Sequence, residues 1–222
     1  MKQNNNILLF FACLLLVSCS GTRHLPKGEK LYVGAEINLE SEEQINKRSI
    51  QKAAESAVRP QPNKSYFGVR PKLWLYNAAG ENPHSKLQKW LKEKGEAPVL
   101  MQQVKTGATS EIIDAKLFNM GIFHSSTTPE IVEKENTGKV IYTSQVHPPY
   151  TVKALTYDIP DDSISRLIQD TKNQSVIEIG ENYNLDELKK ERIRIDGLLK
   201  NKGYFYFNPD YLVFKADTSE KN

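Results

Sequence analysis

Leu117-Phe118-Asn119-Met120-Gly121-Ile122-Phe123 returns, with four identities in seven, as Leu199-Lys200-Asn201-Lys202-Gly203-Tyr204-Phe205, an offset of 82 residues. In each stretch the leucine holds a helix against a sheet, the glycine permits the left-handed turn that ends the helix, and the final aromatic opens an extended segment. The motif reverses the chain and contains neither a nucleophile nor a ligand set. Upstream of the first copy, Thr109 and Ser110 cap a helix that carries Ile113, Leu117 and Met120 on one face. Downstream, strands over 129–135 and 139–146 are predicted, joined by Asn136-Thr137-Gly138. Around the second copy, Asn184 and Glu187 form a capping pair for a helix over 184–202, with Leu185, Leu188, Ile195 and Leu199 on one side. Extended segments over 204–207 and 211–215 follow it.

Further out, Leu31, Val33, Ala35, Ile37 and Leu39 alternate as one face of a strand, and a helix over 41–58 ends before Pro60 and Pro62. A second strand is read over 150–158 and a short helix over 161–171. The chain therefore reads as an α+β protein of two modules, the first strand-helix-helix-strand-strand and the second a strand and two helices followed by extended segments. The first strands start near 31 and 151, farther apart than the helix-ending motifs. The first module then holds an insertion of about forty residues at 60–98, read from that spacing. This insertion contains an aromatic-rich stretch over 66–76 and a helix over 84–94 stopped by Gly95. Trp74, Tyr76 and Trp90 are its candidate interaction residues. Packing within the insertion is the expectation for them, an outward-facing interface the alternative.

At the N-terminus, Lys2 precedes eleven apolar residues, Ile7 to Val17, and then Ser18-Cys19. This run is too short to span a bilayer and has the layout of an export signal. Leu16-Val17-Ser18-Cys19 resembles the lipobox of bacterial lipoproteins. The resemblance implies cleavage before Cys19 and acylation of that residue, giving several fatty chains at one point and stable anchoring. Cys13 is removed with the leader, so no cysteine remains for a disulfide. The net charge of +3, from 30 basic and 27 acidic residues, makes no case for nucleic acid.

The helix-ending motifs, with Asn201-Lys202-Gly203-Tyr204-Phe205 the fuller match and Ile122 replacing the usual aromatic in the first copy, resemble those of the POTRA domains of the BamA/TamA outer-membrane assembly superfamily. The lipobox points to its lipid-anchored branch. Phe67 to Tyr76 and Gly95-Glu96-Ala97-Pro98-Val99 are similar to the insertion and following segment of lipidated members. The division implied is a signal peptide at 1–18, lipidated Cys19 and a tether at 19–30, a first POTRA-like module at 31–147, and an incomplete second module at 150–217. A complete second module would add a strand after Lys215, and a barrel would follow; neither is read in this chain, which is expected to be a barrel-less fragment. Ser20 resembles an outer-membrane sorting signal, so the expected place is the outer membrane, lipid-anchored and facing the periplasm.

No enzyme activity, cofactor or metal is expected. His24, His84, His124 and His147 lack ligand spacing, and Asp161-Asp162 reads as a helix start rather than a catalytic carboxylate pair. What remains is main-chain recognition by an exposed sheet edge, around 129–135 and again over 206–212, although Pro129 and Pro209 remove ladder donors there. The resemblance implies unfolded outer-membrane protein clients or accessory periplasmic assembly proteins as partners, besides the lipid leaflet that takes the acyl chains. A standalone lipid-anchored binding or scaffold protein is the alternative, and an enzyme involving Asp161 or His147 the weaker one.

Overall fold

The computed structural model describes Gly21, Thr22 and residues 24–218, so the leader, Cys19 and Ser20 lie outside the described residues. The chain divides into two compact units. One gathers residues up to Leu39, Ala54–Ile113 and Thr127–Ser144; the other gathers Glu40–Ala53, Asp114–Ser126 and residues from Gln145 onward.

In chain order the elements are β1 (Leu31–Glu40), α1 (Lys47–Glu55), α2 (Pro71–Ala78), α3 (Lys86–Lys94), α4 (Thr106–Asn119), β2 (Ser126–Glu133), β3 (Thr137–Gln145), α5 (Asp162–Asp170) and α6 (Leu185–Asn201), with three short 3-10 turns. Without α2 and α3, the run from β1 to β3 has the strand-helix-helix-strand-strand order read from the sequence. Among the described residues the chain is α+β with one three-stranded mixed sheet, ordered β1-β3-β2.

The central strand explains that order. Gly138, Val140, Tyr142 and Ser144 are buried at every second position of β3, while the residues between them are only half-covered. The Leu31 amide donates to the Asn136 carbonyl at 3.0 Å, and Lys139 pairs with Glu36 at 2.8 Å. Partner numbers therefore climb together, and β1 runs parallel to β3, as a helical crossover permits. On the other side the Lys134 amide donates to the Thr137 carbonyl, and the Thr127 and Ser144 hydroxyls lie 2.8 Å apart. Both contacts fit one antiparallel register for the β2–β3 hairpin. Tyr32, Ile37, Val58, Ile113, Val140 and Tyr142 are among the buried side chains of this unit, the aliphatic ones each stabilising by roughly 1.5–3 kcal/mol.

Two helices depart from the sequence expectation. The first starts at Lys47, later than Ser41, because the Ser41 hydroxyl bonds the Glu43 amide and carbonyl in a local turn. Asn46 instead accepts from the Arg48 amide at 3.3 Å and caps the helix. The second, α4, starts at Thr106, so Thr109 and Ser110, read as its cap, lie inside it and are buried. In the aromatic-rich stretch, residues 66–69 form a tight turn and Pro71 opens α2, where its missing amide hydrogen costs nothing.

The second unit holds α5 and α6 close to their expected bounds, around a buried cluster of Ile168, Ile195 and Leu199. Tyr157, Ile159, Tyr204, Phe207 and Leu212 pack against it. The strands expected over 150–158, 204–207 and 211–215 are not formed: an isolated bridge joins Thr151 to Asn182, and residues 209–211 make a 3-10 turn. The physical reason lies in the sheet order. In the first unit both outer strands pair with β3 and not with each other. No described strand takes the place of β3 in the second unit, so its extended segments have no ladder to join.

Candidate functional site: an open sheet edge and an aromatic hairpin

The two copies of the helix-ending motif close alike. The Ile122 amide donates to Leu117 O and Gly121 to Phe118 O; 82 residues later Tyr204 donates to Leu199 O and Gly203 to Lys200 O. These are the paired bonds that satisfy the last carbonyls of a helix. Gly121 and Gly203 have φ of +84° and +98°, and Leu117 and Leu199 are fully buried. Asn119 and Asn201 are the last residues of α4 and α6, and both are exposed. The copies differ beyond the glycine. The Phe123 ring packs edge-on or tilted, with centroids 4.8–5.2 Å from those of Phe118, Tyr150 and Tyr183, whereas Phe205 is largely exposed. In both places the motif ends a helix.

The sheet edge follows from register. Pairing Lys134 with Thr137 makes alternate residues of β2 bond inward to β3, which turns the main-chain groups of Pro129, Ile131 and Glu133 outward. Pro129 thus costs the ladder no inward bond, yet removes one donor from the open side. Among the described residues no strand lies beyond β2. The opposite edge is treated differently. The start of β1 is covered by an antiparallel bridge from Leu31 to Leu100, the Tyr32 amide donating to Val99 O and the Met101 amide to Lys30 O. On β2 only Thr127 is buried, and Ile131, which lies opposite the buried Val140, is half-exposed. An extended partner laid along β2 would find main-chain bonds and an apolar side chain together.

The expected packing of the aromatic residues within the insertion holds only for Tyr76. It is half-buried, its ring lies 3.8 Å from Lys92 Nζ, and its backbone meets Gly95 closely. Trp74 and Trp90 are both about half exposed. Helical periodicity finds such residues but cannot tell whether their face is covered. The Ser85 capping box and the Lys72–Glu96 pair at 2.7 Å fix the ends of the α2–α3 hairpin.

The second unit has an open cleft of about 630 Å³ bordered by Met120, Ile122, Tyr183 and Glu187 among others, and its Ser49 hydroxyl donates to the Asn46 carbonyl. Asp161 accepts from the Ser163 and Ile164 amides at 2.8 and 2.9 Å, the work of a helix cap. All four histidines are exposed, and among the described residues no group of three or more His, Cys, Asp or Glu could hold a metal. The buried polar network missed from the sequence centres on Glu191. Its carboxylate accepts from Arg194 at 2.7 and 3.0 Å, from the Tyr157 hydroxyl at 3.0 Å and from the Val176 amide at 3.0 Å. Burial pushes this carboxyl up, but the Arg194 guanidinium and the two other donors hold it below the usual range. A Glu at a half-polar helix position gave no signal of such burial.

No protein-family model matches the chain. No curated protein is significantly similar to it. Among solved structures it is similar to POTRA1-2 of the periplasmic domain of Omp85 from Anabaena, with 11% identity, a TM-score of 0.37, and coverage of 87% of this chain and 91% of that one. No helix among the described residues is long and apolar enough to cross a membrane.

Proposed function

We propose that this chain is a non-catalytic periplasmic scaffolding or client-binding region in the assembly of outer-membrane proteins, held at the membrane by acyl chains on Cys19. It engages extended client segments by adding them as a strand to β2. The observation that carries this reading is the open β2 edge, with outward main-chain groups at Pro129, Ile131 and Glu133 and a half-exposed Ile131 beside them. The lipobox-like run before Cys19 and the order of elements from β1 to β3 support the compartment and the module type.

The test is hydrogen exchange of the full chain with a peptide copied from an outer-membrane barrel strand. Protection confined to Ser126–Glu133 is the expected result; protection elsewhere, or none, overturns the reading. Replacing Pro129 with Thr restores one outward donor, and should tighten the peptide about fivefold for one added main-chain bond of about 1 kcal/mol. Intact-mass analysis of protein from host outer membranes should find triacylated Cys19. An unmodified Cys19 would remove the anchor.

A further inference from the structure

Residues 60–98 carry seven Lys and Arg against three Glu, a net of +4 in a chain whose total is +3. Helix α3 sets Leu87, Trp90 and Leu91 on one arc, with Lys86 and Lys89 beside it. Leu87 and Trp90 on that arc are uncovered, while Leu91 is half-buried. No residue of α3 is buried, and Leu87 and Trp90 are 66% and 52% exposed. Lys72 and Lys92 are engaged internally, by Glu96 and by the Gly80 carbonyl. Lys64, Lys86, Lys89 and Lys94 have no ion-pair partner among the described residues.

The turn leading into α2 adds a second feature. Tyr66 and Val69 exchange both main-chain bonds, and the residues between them, Phe67 and Gly68, have φ of +50° and +82°. A turn of this kind favours Asn or Gly at both positions. Here a phenylalanine occupies the first, at a backbone angle uncommon for a bulky residue, and its ring is wholly exposed. Packing cannot account for that choice, since the ring touches solvent on all sides.

We propose that the α2–α3 hairpin, with the Phe67 turn that leads into it, is an interfacial docking element for an anionic lipid surface. Phe67, Trp90 and Leu87 enter the boundary between headgroups and acyl chains, and the uncompensated lysines meet lipid phosphates. The charge excess confined to this segment selects an anionic surface, and aromatic rings displayed on a turn and a helix rather than in a concave pocket suit a fluid one. None of the docking element's residues belongs to the β2 edge, so either proposal can fail alone.

Both tryptophans of the chain, Trp74 and Trp90, belong to this hairpin, so intrinsic fluorescence reports on it. The full chain is mixed with vesicles of phosphatidylcholine alone or with phosphatidylglycerol, each with brominated acyl chains. Quenching, rather than sedimentation, is the readout, because acyl chains on Cys19 would hold the protein to either vesicle. The expected result is emission at shorter wavelength and quenching with phosphatidylglycerol only, reversed by high salt. Replacing Lys86 and Lys89 with Gln should remove most of it, at about fivefold for each cation near an anionic surface. Phe67→Asn should weaken it about tenfold, and the turn should persist because Asn accepts positive φ. Unchanged emission with phosphatidylglycerol, equal quenching in neutral vesicles, or the same wavelength shift with soluble polyglutamate would overturn the proposal, the last in favour of an acidic polypeptide partner.

Discussion

An alanine at Gly121 would place its Cβ 3.1 Å from the Tyr183 Cβ and carbonyl oxygen and 3.3 Å from the Tyr150 carbonyl, in a backbone at φ +84°. At Gly203 the angle is similar, but nothing lies within 4 Å. The left-handed backbone alone costs a non-glycine residue roughly 1–2 kcal/mol. We therefore expect Gly203→Ala to destabilise by about that amount and Gly121→Ala by about 1 kcal/mol more, as measured by urea unfolding; equal losses would show that Tyr183 and Tyr150 yield freely. Glu191 gives the acid limb. Its folded pKa is depressed, so its contribution is present above the unfolded value, about 4.3, and is lost as pH falls through the folded value. Glu191→Gln should destabilise at neutral pH by about 3 kcal/mol, since Arg194 is then left without its counter-ion, and should flatten the fall in stability below about pH 4.3. Tyr32 gives the opposite sign. Burial, and secondarily Tyr142, push its hydroxyl up to about 12. Stability tied to it persists below the unfolded value of about 10 and is lost as pH rises through the folded one; thermal melts of Tyr32→Phe across that range should lose this alkaline slope.

At the scale of elements, Gly95 decides whether the α2–α3 hairpin closes. Its φ of −79° suits any residue, so conformational freedom does not explain the glycine. A Cβ there would lie 2.5 Å from the Tyr76 amide nitrogen and 2.7 Å from its Cα, both backbone atoms that cannot swing aside. Gly95→Ala should cost about 1–3 kcal/mol of overpacking and speed amide exchange in Pro71–Ala78 and Lys86–Lys94; unaltered exchange would mean that the helices separate without loss. Elements of this kind were legible in sequence where one local signal determined them. Gly95 as a helix stop, the Asp161 and Asn184 caps, and the reversal at Gly121 and Gly203 depend on neighbours within a few residues. The start of α1 was misplaced because Ser41 and Asn46 both offer caps, and only the completed turn at Glu43 selects between them.

Across the whole molecule, what the sequence could not supply was pairing. The alternation that predicts β1 and β3 also marks 155–159, where Leu155, Tyr157 and Ile159 are half-buried between exposed neighbours. Alternation reports that one face meets a core, here the Ile168, Ile195 and Leu199 cluster, and says nothing about a neighbouring strand. The open β2 edge and the exposure of Trp90 are long-range outcomes of the same kind, set by what other elements leave uncovered. Amide exchange of the full chain separates the two situations. Val140 and Tyr142, on the central strand between two partners, should exchange among the slowest amides of the protein. Tyr157 and Ile159 pack on the Ile168 cluster through their side chains and have no main-chain hydrogen bonds among the described residues, so they should exchange faster by orders of magnitude. Equal protection of the two sets would mean that 155–159 is paired in solution, by a second copy or by an added strand. A concentration series then decides between these, since pairing between copies fades on dilution and a strand from the same chain does not.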